Sequence, residues 1–169
     1  MDAIECMKTR RSIRTFLDHP IPRAVVEDIV DCGRLAATAI NVQPWVFIAV
    51  EDPLLRKQIA DVTDYGKFIA QAPVCIAVFC SVTKYFLEDG SAATQNILNA
   101  AQAHSLGSCW VAGHQKKYAG KVREILGVPD SHVLVSLVAL GRAAEEPRPD
   151  KKTLAEVLHW GRYSPRQSH

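Results

Sequence analysis

The sequence predicts an α/β or α+β sandwich, a single sheet with helices packed on it. Three observations predict this. Four short runs are apolar and rich in β-branched or aromatic residues: WVFIAV (45–50), PVCIAVFCSV (73–82), LGSCWVAGH (106–114) and HVLVSLVALG (132–141). Runs of that length and composition read as buried strands. The segments between them carry helical periodicity or helix stop signals, so helices separate the strands. The chain has 169 residues, 48% hydrophobic and 22% charged, which is enough to bury one core, and no linker or repeat divides it. Residues 1–169 are therefore expected to form one domain. Periodicity alone leaves the strand order open.

The elements follow in order. Residues 2–9, DAIECMKT, suit a short helix leading into a cluster of arginines. DHPIP (18–22) interrupts the chain with two prolines. A helix starts from Pro22, with Val25, Val26, Ile29, Val30, Gly33 and Ala36 or Ala37 on one face. ATAINVQP (37–44) reads as a loop ahead of the first strand. EDPLLRKQIADV (51–62) is a helix with proline near its first turn, and TDYGKF (63–68) has no clear period. From Asp89 to about His104 a helix shows a face of small residues: Ala92, Ala93, Asn96, Ala100 and Ala103. Such a face admits close packing, and Gln95 and Asn96 within it point to buried hydrogen bonds or a subunit contact. KKYAGKVREILGVP (116–129) is a helix stopped by Gly127 and Pro129. EEPRPDKK (145–152) is a charged, proline-rich connection, and TLAEVLHW (153–160) a terminal helix or arm.

Composition excludes several classes. The formal net charge is +2, with cations interleaved with acids, which argues against nucleic acid as a partner. No run of about 18 apolar residues exists to span a membrane. The N-terminal stretch carries acids early and lacks the apolar stretch of a signal peptide. The five cysteines (Cys6, Cys32, Cys75, Cys80, Cys109) are odd in number and form no C-x-x-C pair. Reduced thiols in a cytoplasm are expected, rather than a disulfide framework or a zinc site. Neither G-x-G-x-x-G after a strand nor G-x-x-x-x-G-K-[ST] occurs, so neither a Rossmann nor a P-loop nucleotide site is indicated.

Three stretches carry candidate chemistry. In RRSIRTF (10–16), Arg10, Ser12 and Arg14 alternate, so an extended backbone puts them on one face. Arginine forks and a hydroxyl match phosphate oxygens. The competing reading is solvated cations complementing the C-terminal dipole of a short helix. In AATAINVQPWVFIAV (36–50), the amides of Asn41 and Gln43 stand at a strand mouth, where they can read the polar edge of a planar heterocycle. Loop amides more commonly bond their own backbone. In GSCWVAGH (107–114), glycine and alanine near a strand end allow a flat ring to approach the backbone. A plain buried strand is the alternative. Cys109, with His114 five residues on, is weighed as a catalytic thiol and set aside, since a nucleophile needs a placed base. His104 reads as a packed or interface residue.

Together and in this order, the stretches resemble the FMN-dependent nitroreductases. The family opening R-[RH]-S-[IV]-R-x-[FY] corresponds to Arg10 through Phe16. N-x-Q-P-W before a strand is Asn41-Val42-Gln43-Pro44-Trp45. The small-residue helix with Q-N is Ala93-Thr94-Gln95-Asn96, the G-L-G-S-C-W type strand is Ser105 to Trp110, and the tail runs from Gly141 through Lys151 to Val157. The resemblance covers essentially the whole chain.

The resemblance implies an α+β nitroreductase-like sandwich with a central mixed, mainly antiparallel β-sheet flanked by helices. It implies a homodimer with C-terminal arm exchange and FMN at the interface. Arg10, Ser12 and Arg14 would hold the ribityl phosphate, with Arg11 contributing and Lys151, Arg148 or Lys152 adding charge. Thr38, Ala39, Ile40 and Asn41 would lie against the flavin from the other subunit, with Gln43 and Trp45 behind. Backbone groups of Trp110, Val111, Ala112 and Gly113 would approach the ring edge. Arg10, Arg14 or Lys67 would face N1 and C2=O. NADH or NADPH would reduce the flavin and a nitroaromatic, quinone or similar conjugated acceptor would reoxidise it, in ping-pong fashion, with no catalytic side chain and no metal. Dehalogenation, dehydrogenation, flavin fragmentation or non-catalytic flavin binding are alternatives on the same fold. Two departures stand out. The loop lacks the family's proline before Thr38, and Ala112-Gly113 replaces a common Glu-Gly. The chain is also short for the helical excursion that covers the site in larger members.

Overall fold

The computed structural model describes residues 2–164. Its elements in chain order are α1 (Ala3–Thr9), α2 (Arg23–Arg34), β1 (Trp45–Val50), α3 (Pro53–Val62), β2 (Val74–Ser81), α4 (Phe86–Ala103), β3 (Gly107–Ala112), α5 (Ala119–Ile125), β4 (His132–Gly141) and α6 (Leu154–Val157). The strands form one sheet in the order β1-β2-β4-β3, and every pairing between them is antiparallel. The expected mixed character reduces to one parallel bridge, Ser12 to Ser108, where the arginine segment lies along β3. The architecture is α+β.

The β2 and β4 strands are central and almost wholly buried, which is why their sequences read as unbroken apolar runs. Each sheet face has its own core. One face gathers Phe79, Leu134, Leu137 and Val111 beneath Ile59 and Val122 of α3 and α5. The other gathers Ile76, Val138 and Leu140 beneath Ile29 of α2 and Ile97 and Leu98 of α4. At about 25 cal/mol per Å² of apolar area, these two layers supply the main driving force for folding. Thr94 of α4 donates to the Gly90 carbonyl or shares a 2.7 Å hydrogen bond with Ser136 of β4, so the buried hydroxyls are paired.

Several boundaries differ from those the pattern suggests. α4 begins at Phe86, three residues before Asp89, because Phe86 and Leu87 pack against the apolar cluster. α5 covers only Ala119–Ile125 of the 116–129 stretch and closes near Gly127, whose φ is +65°. β3 stops at Ala112 because Gly113 and His114 both donate to the Val135 carbonyl, ending the ladder. The segment without a clear period runs into a 3₁₀ turn, Lys67–Ala70. The buried Arg56 guanidinium fastens this turn to α3 by donating to the Ala70 and Ala72 carbonyls.

Two glycines place the arginine segment. A Cβ at Gly107 would sit 2.8–2.9 Å from Ile13, and one at Gly141 would sit 2.8 Å from Phe16. Without side chains there, Ile13 and Phe16 reach the sheet and bury against it. Residues between them are consequently held at the edge of β3.

Candidate functional site

The arginine segment is tied down along its length by backbone hydrogen bonds. Ile13 N donates to Ser108 O (3.0 Å), Ala144 N to Thr15 O (2.9 Å) and Leu17 N to Arg142 O (2.9 Å). Glu145 accepts from the N–H groups of both Arg14 and Thr15. These donors, the Arg14 N–H foremost, hold the Glu145 carboxyl below its ordinary value of 4.5. The extended conformation gives the expected alternation. Ile13 is buried, while Arg10 and Ser12 are partly exposed and Arg14 is exposed.

Arg10, Ser12 and Arg14 all act on the Cys109 thiol. Burial pushes the Cys109 thiol above its ordinary value, while the Arg14 charge, a hydrogen bond from the Ser12 side chain and the Arg10 charge pull the other way. Burial wins, so the thiol stays protonated at neutral pH and supplies no nucleophile. The segment that carries these two guanidinium groups and the hydroxyl lies along the edge strand, bridged to it at Ser12 and Ser108. Arg11 faces elsewhere: it donates to the Lys8 and Arg10 carbonyls and lines a cleft of about 560 Å³ with Lys8, Gln102, Glu145 and Arg148.

The rest of β3 presents backbone. Ser108 O faces the arginine segment and Gly113 N faces β4. Side-to-side alternation along an antiparallel strand then turns the peptide groups of Trp110 and Ala112 away from β4. Tyr118 Oη donates to the Ala112 carbonyl, while the N–H groups point out from the edge. Burial raises the Tyr118 hydroxyl above its ordinary value, and the nearby Asp64 charge adds to this, so it remains a donor. Val111 is buried in the core, Trp110 and His114 are half-buried, and the His114 ring meets Phe86 edge-on at 5.4 Å.

The loop 36–44 stands at the opposite end of the sheet edge order, ahead of β1. Asn41 and Gln43 both have positive φ, 55° and 54°, a conformation that costs a non-glycine residue about 1 kcal/mol or more. Gln43 Nε2 donates to Asn41 Oδ1 (2.9 Å), so the two amides bond each other rather than the backbone. Thr38 is half-buried, whereas Ala39 is exposed and Ile40 and Val42 are 68% and 47% exposed. Among the described residues, no hydrogen bond or ion pair joins this loop to the arginine segment. The loop leads into β1 and the arginine segment lies along β3, the two opposite edges of the sheet.

The remaining candidates are dispersed. Lys67 Nζ donates to the Ala60 and Asp61 carbonyls at 3.1 and 2.8 Å, closing the C-terminus of α3. Arg148 is exposed and sits 3.5 Å from Glu146. Lys151 and Lys152 are exposed on the connection before α6. His104 pairs with Asp28 at 2.6 Å, linking α4 to α2. Among the described residues there is no cluster of three or more metal-ligating side chains, and no helix is long and apolar enough to cross a membrane.

Sequence reasoning missed three groups. Glu145 anchors the arginine segment yet lies in a stretch that reads only as a charged connection. Asp89, 3% exposed, accepts from Ala39 N at 3.0 Å; an acid in the first turn of a helix reads as an ordinary dipole complement. Ser108, 1% exposed on β3, has a hydroxyl with no partner among the described residues. No periodic signal marks any of them.

The donor set suits a planar group with a polar edge and an attached phosphate: cations and a hydroxyl at one end of β3, outward peptide N–H groups farther along. Comparison with known proteins points the same way. The sequence matches the Nitroreductase family over residues 7–64 and 63–142, which include the arginine segment, the loop and all four strands. A relative from Archaeoglobus fulgidus, whose name couples NADH dehydrogenase with NAD(P)H nitroreductase, is 37% identical over 152 residues, covering 84% of this chain and 87% of its own. The oxygen-insensitive NADPH nitroreductase of Salmonella typhimurium is 29% identical over 182 residues, 96% of this chain and 75% of its own. A Desulfovibrio desulfuricans chain crystallised in complex with FMN superposes with a TM-score of 0.85 at 27% identity, covering 97% of this chain and 99% of that one. The family match and the likeness to these relatives extend over most of the chain, and the chain belongs to the nitroreductase family.

Proposed function

We propose that the protein is an FMN-dependent oxidoreductase that passes electrons from NADH or NADPH to nitroaromatic, quinone or similar conjugated acceptors. The observation that carries this reading is the extended segment of alternating Arg10, Ser12 and Arg14 held along the edge of β3 by the Ser12–Ser108 bridge and the Ile13 N to Ser108 O bond. In this reading the two guanidinium groups and the Ser12 hydroxyl hold the ribityl phosphate, and Lys151, with Arg148 or Lys152, adds charge from the C-terminal connection. The outward N–H groups of Trp110 and Ala112 donate to the heteroatom edge of the ring. When bound, FMN supplies the redox chemistry, accepting a hydride from the nicotinamide and delivering it to the acceptor. The side chains bind, orient and tune; none is asked to act as nucleophile. Arg10 and Arg14 supply positive charge that favours an electron-rich ring. Lys67 serves the turn at the end of α3 and reaches the ring only if it releases those carbonyls.

The working form is a homodimer in this proposal. The loop 38–41 is remote from its own arginine segment and exposes Ile40, as a surface meeting a partner would. The arm exposes Leu154 (71%) and Trp160 (87%), with no residue of α6 buried. An apolar groove of about 310 Å³ between α1, α2 and α4, lined by Ala3, Met7, Cys32, Ala100 and Ala103, offers a seat for a second copy. Two shared sites per dimer would follow from the symmetry.

The test is an absorbance spectrum of the purified protein, followed by anaerobic addition of NADH and, separately, NADPH. Flavin bands that bleach with one reductant and return with a quinone support the proposal and identify the donor. Bands that never bleach would make the protein a flavin carrier. Parallel double-reciprocal plots would establish ping-pong order; intersecting lines would exclude it.

A further inference from the structure

We infer that Asp89 is a positioning residue: it latches the loop 38–43 into the shape that covers the flavin held at the arginine segment of the other protomer. This rests on the shared-site reading above.

The loop is strained and has few means of holding itself. Asn41 and Gln43 both occupy the left-handed region, and within the loop only their mutual amide bond opposes relaxation. Such strain persists where surrounding structure fixes the ends. Two anchors bracket the stretch. On one side the Asp89 carboxylate accepts from Ala39 N at 3.0 Å. On the other, Ser81 N donates to the Pro44 carbonyl at 2.9 Å. The second is ordinary backbone at the end of β2. The first is unusual, because it uses a carboxylate that is 3% exposed and reaches across fifty residues of chain.

A carboxylate buried to that degree is costly unless compensated. The first turn of α4 supplies a favourable dipole end, and the Ala39 N–H supplies a directed donor. Gly90 follows immediately; a Cβ there would meet Val135 and Cys80 at 2.8–2.9 Å. α4 is therefore pressed against the sheet at this point, and the Asp89 side chain has a fixed origin. Its charge also reaches the sheet: the Cys80 thiol is pushed up to about 12, by burial first and Asp89 second. A helix built into the core thus extends one charged group to the base of an exposed loop. A merely capping acid would bond within its own helix, whereas the bond recorded for the Asp89 carboxylate leaves it.

The experiment compares wild type, Asp89→Asn and Asp89→Ala, with melting curves to confirm that each folds. FMN dissociation constants come from quenching of flavin fluorescence, and exchange rates of the amides at 39–43 from hydrogen exchange on the FMN-free proteins. Asp89→Ala is expected to weaken FMN binding on the order of tenfold, or about 1.4 kcal/mol, and to speed exchange at Ala39. Asp89→Asn keeps an acceptor oxygen and should recover most of both. A faster Ala39 amide with unchanged FMN affinity overturns the positioning role and leaves the flavin reading intact. A slow Ala39 amide in a wild-type protein that takes up no FMN overturns the flavin reading itself, and the positioning role with it. Service to the partner is read from mixed dimers joining one Arg14→Ala chain to one Asp89→Ala chain. Half the normal FMN content supports action across the interface, since one site is then fully wild type; two sites, each weakened by one of the substitutions, overturn it.

Discussion

The arginine segment and the loop 36–44 are built in opposite ways. The segment is fixed by backbone bonds to β3, to Arg142 and Ala144, and by Glu145. Its Ile13 and Phe16 are buried, and Arg10, Ser12 and Arg14 alternate with them along an extended backbone. The loop holds two residues at positive φ and turns Ile40 and Val42 toward solvent. One region is fastened to its own sheet along its length, and the other stands exposed with two residues in the left-handed region. In the proposed reading, the rigid segment supplies charge for the phosphate and the strained loop completes the site of a second copy.

The comparison can be broken most severely at the groove. Ala100→Glu puts a carboxylate into the apolar groove between α1, α2 and α4, and Ala103→Glu does the same from a more exposed position. Both should yield monomers by analytical ultracentrifugation, and FMN should be lost with the dimer. A monomer that keeps its FMN would show the loop to be dispensable. On the rigid side, Arg14→Ala should weaken FMN retention by about 1.5–3 kcal/mol, the worth of a charged hydrogen bond, as measured by fluorescence titration. Unchanged affinity would remove Arg14 from the phosphate site.

Gly107→Ala tests why the segment is rigid. Its new methyl would overlap Ile13 at 2.8–2.9 Å, and overpacking of this kind costs about 1–3 kcal/mol. The urea midpoint should fall; no change would mean that Ile13 yields freely. The smallest effect concerns Glu145. Its carboxyl is held below 4.5 by the Arg14 and Thr15 N–H groups. A depressed folded value contributes stability above the ordinary value, and that stability is lost as pH falls through the depressed one. Glu145→Gln should therefore flatten the acid-side decline of the urea midpoint below about pH 4.5 while leaving the neutral side nearly level. An identical decline in the variant would show that Glu145 is not the group responsible.

Much of this was legible in the sequence where local rules dominate. The strands Trp45–Val50 and His132–Gly141 have the ends that their apolar runs suggest; the second is central and buried, whereas the first, read as a buried strand, lies at the sheet edge with only Val50 buried. The alternation of Arg10, Ser12 and Arg14 is visible because an extended segment has period two. Long-range partners were not legible. Nothing in EEPRPDKK marks Glu145 as the acceptor for two amides more than a hundred residues away. The α4 start at Phe86 is set by packing rather than by a cap; Tyr85 makes no side-chain capping bond. Lys67 reads as a ring-facing cation, yet its ammonium closes α3, since the 3₁₀ turn that carries it folds back on the helix end.

The central claim is that two chains complete each cofactor site. The most direct test is sedimentation of the protein with FMN, followed in visible flavin absorbance and in protein absorbance together. The account predicts that flavin travels only with the dimer, at one FMN per chain, and leaves when Ala100→Glu makes the protein monomeric. Flavin sedimenting with a monomer at the same stoichiometry would contradict it, as would a dimer that carries none.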